Sequence, residues 1–222
     1  MNDHMSKEPD TTPPLIDRIG DGLSRVATAM RTEAWSSAEA IGLNPTQLQI
    51  LTFLVAGRRS GMRVKQIAGY LGVSQPTTTD SVNALLRKGL VEKRPDPSDA
   101  RALSVATTPA GEDAVRQAGR LASATEDAIA SLSRLEQQDL LMHLVKIIRS
   151  LQAAGAIPEQ RMCVNCRYFR PHVYDDPKAP HHCAFVDAAF GPAELRVDCG
   201  EYETAEPEAQ RAAWRLFNRE TV

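Results

Sequence analysis

No cysteine occurs before position 163 of this 222-residue chain, and only three of its eleven aromatic residues occur before position 160. The first absence excludes a disulfide staple, a thiolate metal site or a peroxide-sensing thiol from everything upstream. The second leaves that stretch to an aliphatic core. No run approaches the roughly 20 consecutive apolar residues of a membrane span, so no membrane partner is expected. The opening MNDHMSKEPDTTPP has no apolar core behind a basic start, which argues against a secretory signal; residues 1–14 read as a disordered arm. A cytoplasmic location is the expectation. The chain shows no Gly-rich phosphate loop and no nucleophile set beside a base, so it is not expected to be an enzyme. Charge of one sign is also scarce: a net formal charge of −2 and a pI near 6.2 point to no polyanionic partner by themselves.

What is present is concentrated first between Met62 and Gly111. Val64, Ile67, Ala68 and Leu71 follow the i, i+3, i+4, i+7 spacing of a one-faced helix, and Gly72 ends it. Ser74 is placed to cap a second helix, whose inward stripe is Val82, Leu85, Leu86 and Leu90. Its first turns carry Gln75, Thr77, Thr78, Thr79 and Ser81. Three consecutive Thr are poor for helix stability, because β-branched side chains lose rotamer freedom and short hydroxyls compete with the backbone. Hydroxyl, amide and methyl groups at a helix N-terminus suit phosphates and base edges in a major groove. The alternative is a solvated face with an elaborate cap.

Two short strands follow, Val91 to Arg94 and Ala102 to Thr107, around the turn-rich PDPSDAR. This predicts a β-hairpin wing. Arg101 at its tip suits a minor groove, with Asp99 placed to hold the Arg101 side chain; otherwise the two form a surface ion pair. Between Arg58 and Val105, nine Lys or Arg face four acids, a local balance of +5. Double-stranded DNA is the partner such a face predicts, with binding that weakens as salt rises.

Helices flank this segment. Leu15, Ile16, Ile19, Leu23, Val26 and Met30 recur at helical spacing before it. After it, Thr108 and Pro109 start a helix whose apolar pattern runs to about Leu132, and Ser133-Arg-Leu-Glu136 is a capping box opening another that runs to Gly155. Asn44-Pro45-Thr46-Gln47 resembles a further capping box. Two long amphipathic helices at one end of a small domain call for a partner, and a homodimer is expected.

NPTQLQIL (44–51), VSQPTTTDSVNALLRKGLVEKR (73–94), SDARALSVATTPAG (98–111) and the helical flanks together resemble the MarR family of winged-helix regulators over residues 15 to about 152. The resemblance implies a mainly α fold: a winged helix-turn-helix with a small β-hairpin and long interlocking dimerisation helices on a pseudo-palindromic operator. It implies DNA contacts from Ser74, Gln75, Thr77, Thr78, Thr79, Ser81, Arg94 and Arg101. It also implies a cleft for a small aromatic or phenolic effector.

All four cysteines then fall in a C-x2-C-x16-C-x15-C arrangement: Cys163, Cys166, Cys183 and Cys199. Ile157-Pro158 marks the expected boundary, giving a regulator domain over 15–156 and a small metal-binding tail over 157–222. In a reducing compartment such thiols read as a metal site before disulfides. Zinc with His181 or His182 substituting, an iron–sulfur centre and a thiol switch all remain open on spacing alone. Eight aromatics after position 160 suggest an apolar casing. CVNCRYF, CAFVDAAFG and DCGEYE resemble the cluster-binding region of high-potential iron–sulfur proteins over about forty residues, which implies a [4Fe–4S] cluster held by the four cysteines. Joined, the halves predict a redox- or iron-responsive regulator. With zinc instead, the tail becomes a structural clasp. Another class, an electron-transfer or protein-binding module using the winged helix as scaffold, is the competing reading. PEAQRAAWRLFNRE, from Pro207, predicts a short terminal helix with Trp214 and Phe217 on one side.

Overall fold

The computed structural model describes residues 12–57, 61–96, 99–121 and 123–219. The arm expected over 1–14 therefore lies outside them except for its last three residues. Helices α1 (Leu15–Ala40), α2 (Pro45–Ala56), α3 (Val64–Leu71) and α4 (Gln75–Arg87) precede a hairpin of β1 (Val91–Asp96) and β2 (Asp99–Thr107). Then come α5 (Pro109–Ala118), α6 (Ala124–Ala130) and α7 (Arg134–Ala153). The cysteine-bearing tail has short strands β3 (Phe169–Arg170), β4 (His181–Cys183) and β5 (Ala188–Phe190) in one antiparallel sheet, and ends in α8 (Pro207–Asn218). No described helix is long and apolar enough to cross a membrane.

Local chemistry sets the helix starts. Asn44 and Gln47 exchange side-chain-to-backbone hydrogen bonds at 2.8 and 3.3 Å, and Ser133 and Glu136 do the same at 3.3 and 2.8 Å. Both are capping boxes that satisfy otherwise orphaned N–H groups. Ser74 accepts from Thr77 N–H and Thr108 accepts from Gly111 N–H. Gly72 stops α3 in the left-handed conformation, φ 64°. Gly111 is required for another reason: a Cβ there would lie 2.1 Å from the Leu90 carbonyl oxygen, so α5 can approach the end of the helix-turn-helix only without a side chain.

The helix read as continuous from Pro109 to about Leu132 is divided. The chain leaves α5 at Gly119 and restarts at Ser123, which caps α6. Glu33 of α1 causes the restart: its carboxylate accepts the Ser123 hydroxyl at 3.0 Å and the Thr125 N–H at 2.9 Å. A contact ninety residues away in sequence overrides the local period.

Two cores result. Leu51 and Ile50 of α2, Ile67 of α3, Val82 and Leu85 of α4, Val91 of β1 and Val105 of β2 close the first, with Ala38 from α1. Burying each such aliphatic side chain stabilises by about 1.5–3 kcal/mol, which makes this cluster the reason α3 and α4 hold a fixed angle. The second core joins Val145 of α7 to Met162, Val164, Phe169, Leu195 and Phe217 of the tail. The stripe on α1, by contrast, stays open: Leu15, Ile16, Ile19, Leu23, Val26 and Met30 are 44–77 % exposed.

Candidate nucleic-acid interface and four-cysteine pocket

Helix α4 opens with Pro76 in its first turn and shows solvent a surface of Ser74, Gln75 and Thr77, with Thr79 half-buried beside them. The Thr77 hydroxyl meets the Ser74 hydroxyl at 2.7 Å, and the Thr79 hydroxyl donates to the Gln75 carbonyl at 2.8 Å. Two of the hydroxyl residues expected on this face are not there. Thr78 is 0 % and Ser81 7 % exposed, because both fall on the Val82–Leu85 side of the helix. The Thr78 hydroxyl is satisfied internally by the Ser74 carbonyl at 3.0 Å. A run of consecutive hydroxyl residues on a helix necessarily divides between its faces.

The wing is longer than expected, since the strands continue through Asp96 and Asp99 around Pro97 and Ser98, which lie outside the described residues. Met62 adds a third rung, exchanging hydrogen bonds with Val105 at 2.9 and 2.8 Å. Arg63, the residue before α3, braces the hairpin: its guanidinium donates to both Asp96 oxygens at 2.9 and 3.1 Å and stands 3.6 Å from Asp99. Ser104 donates to the same Asp96 carboxylate at 2.7 Å. The hydrogen bonds that Arg63 donates to Asp96, with the charges of Asp96 and Asp99, hold the Arg63 pKa above its ordinary value. Sequence reading missed this brace, because nothing local ties position 63 to position 96.

Asp99 therefore does not hold the Arg101 side chain. Its carboxylate accepts the Arg101 backbone N–H at 3.0 Å and faces Arg63. Arg101 is exposed. Arg94 is also exposed, and its Nε donates to Glu92 on the same strand at 2.5 Å.

The four cysteines converge. Cys163, Cys166, Cys183 and Cys199 all line one cavity of about 270 Å³, walled by Tyr168, Phe169, Phe185, Val186 and Phe190. A short helical turn over 163–165 carries Cys163 and ends at Cys166, β4 carries Cys183, and Cys199 is fixed by its N–H bonding to the Arg161 carbonyl at 3.0 Å. Burial pushes the Cys163 thiol up to about 11; the Arg196 N–H donating to its sulfur at 3.3 Å opposes this, and the three other cysteines add to it. The Arg196 guanidinium donates to Cys199 Sγ at 3.7 Å. As placed, no three His, Cys, Asp or Glu side chains among the described residues stand close enough to hold a metal ion together.

The histidines stand outside the cavity. His181 is buried between Phe169, Phe190 and Phe217, where burial and His172 drive its pKa down to about 4. His182 bonds Tyr174 at 3.0 Å. Helix α8 seals the second core through Phe217, with Trp214 stacked on it and Arg149 of α7 over the indole.

Comparisons place this geometry. The MarR family matches residues 41–102. No curated protein matches the chain. Among solved structures, a MarR transcriptional regulator from Methanosarcina mazei Go1 superposes with a TM-score of 0.53 at 20% identity, over 62% of this chain and 99% of its own. Sco5413, a MarR family transcriptional regulator from Streptomyces coelicolor, gives 0.51 at 22% identity, over 66% and 100%. The S. aureus MepR–DNA complex gives 0.51 at 24%, over 60% and 97%. Residues 41–102 thus match the MarR family, and the fold built around them is that of the MarR regulators.

Proposed function

We propose that this chain is a DNA-binding transcriptional regulator of the MarR type, acting as a homodimer on a pseudo-palindromic operator and modulated by its four-cysteine pocket. One observation carries the reading: α4 turns Gln75 and Thr77 to solvent beside a wing that Arg63 braces and Arg101 crowns. Phosphate contacts position such a helix, and its amide and hydroxyl groups read base edges. MepR, of similar fold, is seen in complex with DNA. The exposed α1 stripe supplies a surface for the second copy.

Within the pocket, Cys163, Cys166, Cys183 and Cys199 would hold a [4Fe–4S] cluster. All four thiols line one cavity of about 270 Å³ with aromatic walls, a donor set and casing of the kind such a cluster uses. Arg196 donates its backbone N–H to Cys163 and its guanidinium to Cys199. When bound, such a cluster supplies one-electron redox chemistry whose potential follows sulfur hydrogen bonding and solvent access.

A second reading has an observation of its own. A cavity of about 600 Å³ lies between α1, α2, α3 and the tail, lined by Leu48, Phe53, Tyr70 and Arg31. With zinc as a structural clasp at the cysteines, a small aromatic effector in this cavity becomes the signal.

Protein purified without oxygen decides between them. Iron, sulfide and a broad visible absorption are expected, together with binding to a duplex obtained by in vitro selection. Gln75→Ala and Arg101→Ala should each weaken that binding by about 1–3 kcal/mol. A colourless protein holding one zinc per chain sinks the cluster. Unchanged affinity in both variants sinks the regulator.

A further inference from the structure

The tail is docked on the reader as well as on α7. Arg161 is 5 % exposed, a charge the fold has taken out of water. Burial of that kind is costly unless the charge is forked to a partner. Its Nε and Nη2 donate to the two oxygens of Asp198 at 2.5 and 2.8 Å, and its backbone carbonyl accepts the N–H of Cys199 at 3.0 Å. Main chain and side chain together therefore grip the segment that delivers the last cysteine to the pocket. The other side of the same guanidinium lies 4.1 Å from the ring of Phe53 in α2 and 5.9 Å from that of Tyr70 in α3.

Neighbours reinforce the joint. Gln160 donates to the Tyr70 carbonyl at 3.4 Å. Gly200, next to Cys199, sits so near the end of α2 that a Cβ would come within 2.6 Å of the Ala56 carbonyl oxygen. Downstream, α3 packs on α4, the helix that presents Gln75 and Thr77.

We infer that Arg161 is the positioning residue through which the state of the four-cysteine pocket acts on the DNA-reading helices. This rests on the DNA-binding reading above. A displacement of Cys199 moves Asp198, Asp198 holds the guanidinium by a rigid fork, and the guanidinium bears on Phe53 and Tyr70. Packed interfaces of this kind shift between discrete arrangements instead of deforming smoothly. The route reaches the reader directly, through Phe53 of α2 and Tyr70 of α3.

Adjacency is not coupling, so the test is a double-mutant cycle on the full chain. Cys199→Ser perturbs the pocket; Arg161→Lys keeps the charge beside Asp198 but loses the fork and the flat stacking surface. Affinity for the selected duplex and amide hydrogen exchange over residues 51–87 are read in all four proteins. Cys199→Ser should change the duplex Kd about tenfold with Arg161 present and less than about twofold in the Arg161→Lys background. It should also speed exchange in α3 only with Arg161 present. Equal changes in both backgrounds overturn the inference, as does faster exchange over 162–205 with α2 and α3 untouched. If Arg161→Lys does not fold, Asp198→Asn, which releases the fork from its exposed side, takes its place in the cycle. Should no duplex be bound by any of the proteins, the DNA-binding reading fails and the exchange cycle alone decides the coupling.

Discussion

Single side chains carry more of this molecule's logic than their neighbours in sequence suggest. Glu33 is the clearest case at this scale. Its pKa lies below the ordinary carboxylate value because the Thr125 N–H donates to it, with the Thr125 and Ser123 hydroxyls adding to the effect against some desolvation. A depressed carboxylate contributes fully above its unfolded value of about 4.3 and loses that contribution as pH falls through the folded value. Acidification below the ordinary range should therefore release α6 from α1. The Thr125 amide resonance should titrate with an apparent pKa lower than that of an exposed glutamate, and Glu33→Gln should abolish the titration. A midpoint at or above the ordinary value would remove Glu33 as the clasp. Thr78 makes the complementary point: Thr78→Val should leave duplex affinity within about twofold while Gln75→Ala lowers it, since only the second side chain reaches solvent.

Elements follow the sequence wherever their causes are local. The capping boxes at Asn44 and Ser133, the Ser74 and Thr108 caps and the Gly72 stop are contained in four or five consecutive residues, and each lies where the pattern puts it. What the pattern could not show is long-range: the break between α5 and α6 imposed by Glu33, the Arg63 brace on the wing, and the facing of Thr78 and Ser81, which depends on helical phase against the core. The convergence of four cysteines on one cavity was foreshadowed by their spacing, whereas Arg161, a lone Arg in a stretch without periodicity, gave no local signal. At this scale α1 yields a direct test. Six large apolar side chains on one open stripe cost far more exposed on two monomers than buried between them, at about 25 cal/mol per Å². Ile19→Asp should raise the dimer dissociation constant at least about tenfold in sedimentation equilibrium, because a carboxylate would be buried without a partner. An unaltered dimer would place the interface elsewhere.

For the whole molecule, the informative quantity is a contrast between total and local charge. A net −2 would repel a polyanion weakly at long range, yet the 58–105 segment alone carries +5. Part of that positive charge is committed internally, Arg63 to Asp96 and Asp99 and Arg94 to Glu92, so on the proposed DNA-binding reading fewer phosphates are contacted than there are basic residues on the face. If each protomer neutralises about three phosphates, the dimer's binding constant should fall with a log–log salt slope of about −5. Arg101, exposed at the wing and occurring twice in a dimer, should account for about two of those six phosphates, so Arg101→Ala should flatten the slope to about −4 as well as weaken binding. Measured across a salt series, a slope shallower than about −1 would mean that phosphates do not hold this protein on DNA. An unchanged slope in Arg101→Ala would mean that the wing stays clear of the backbone and that α4 bears the load alone.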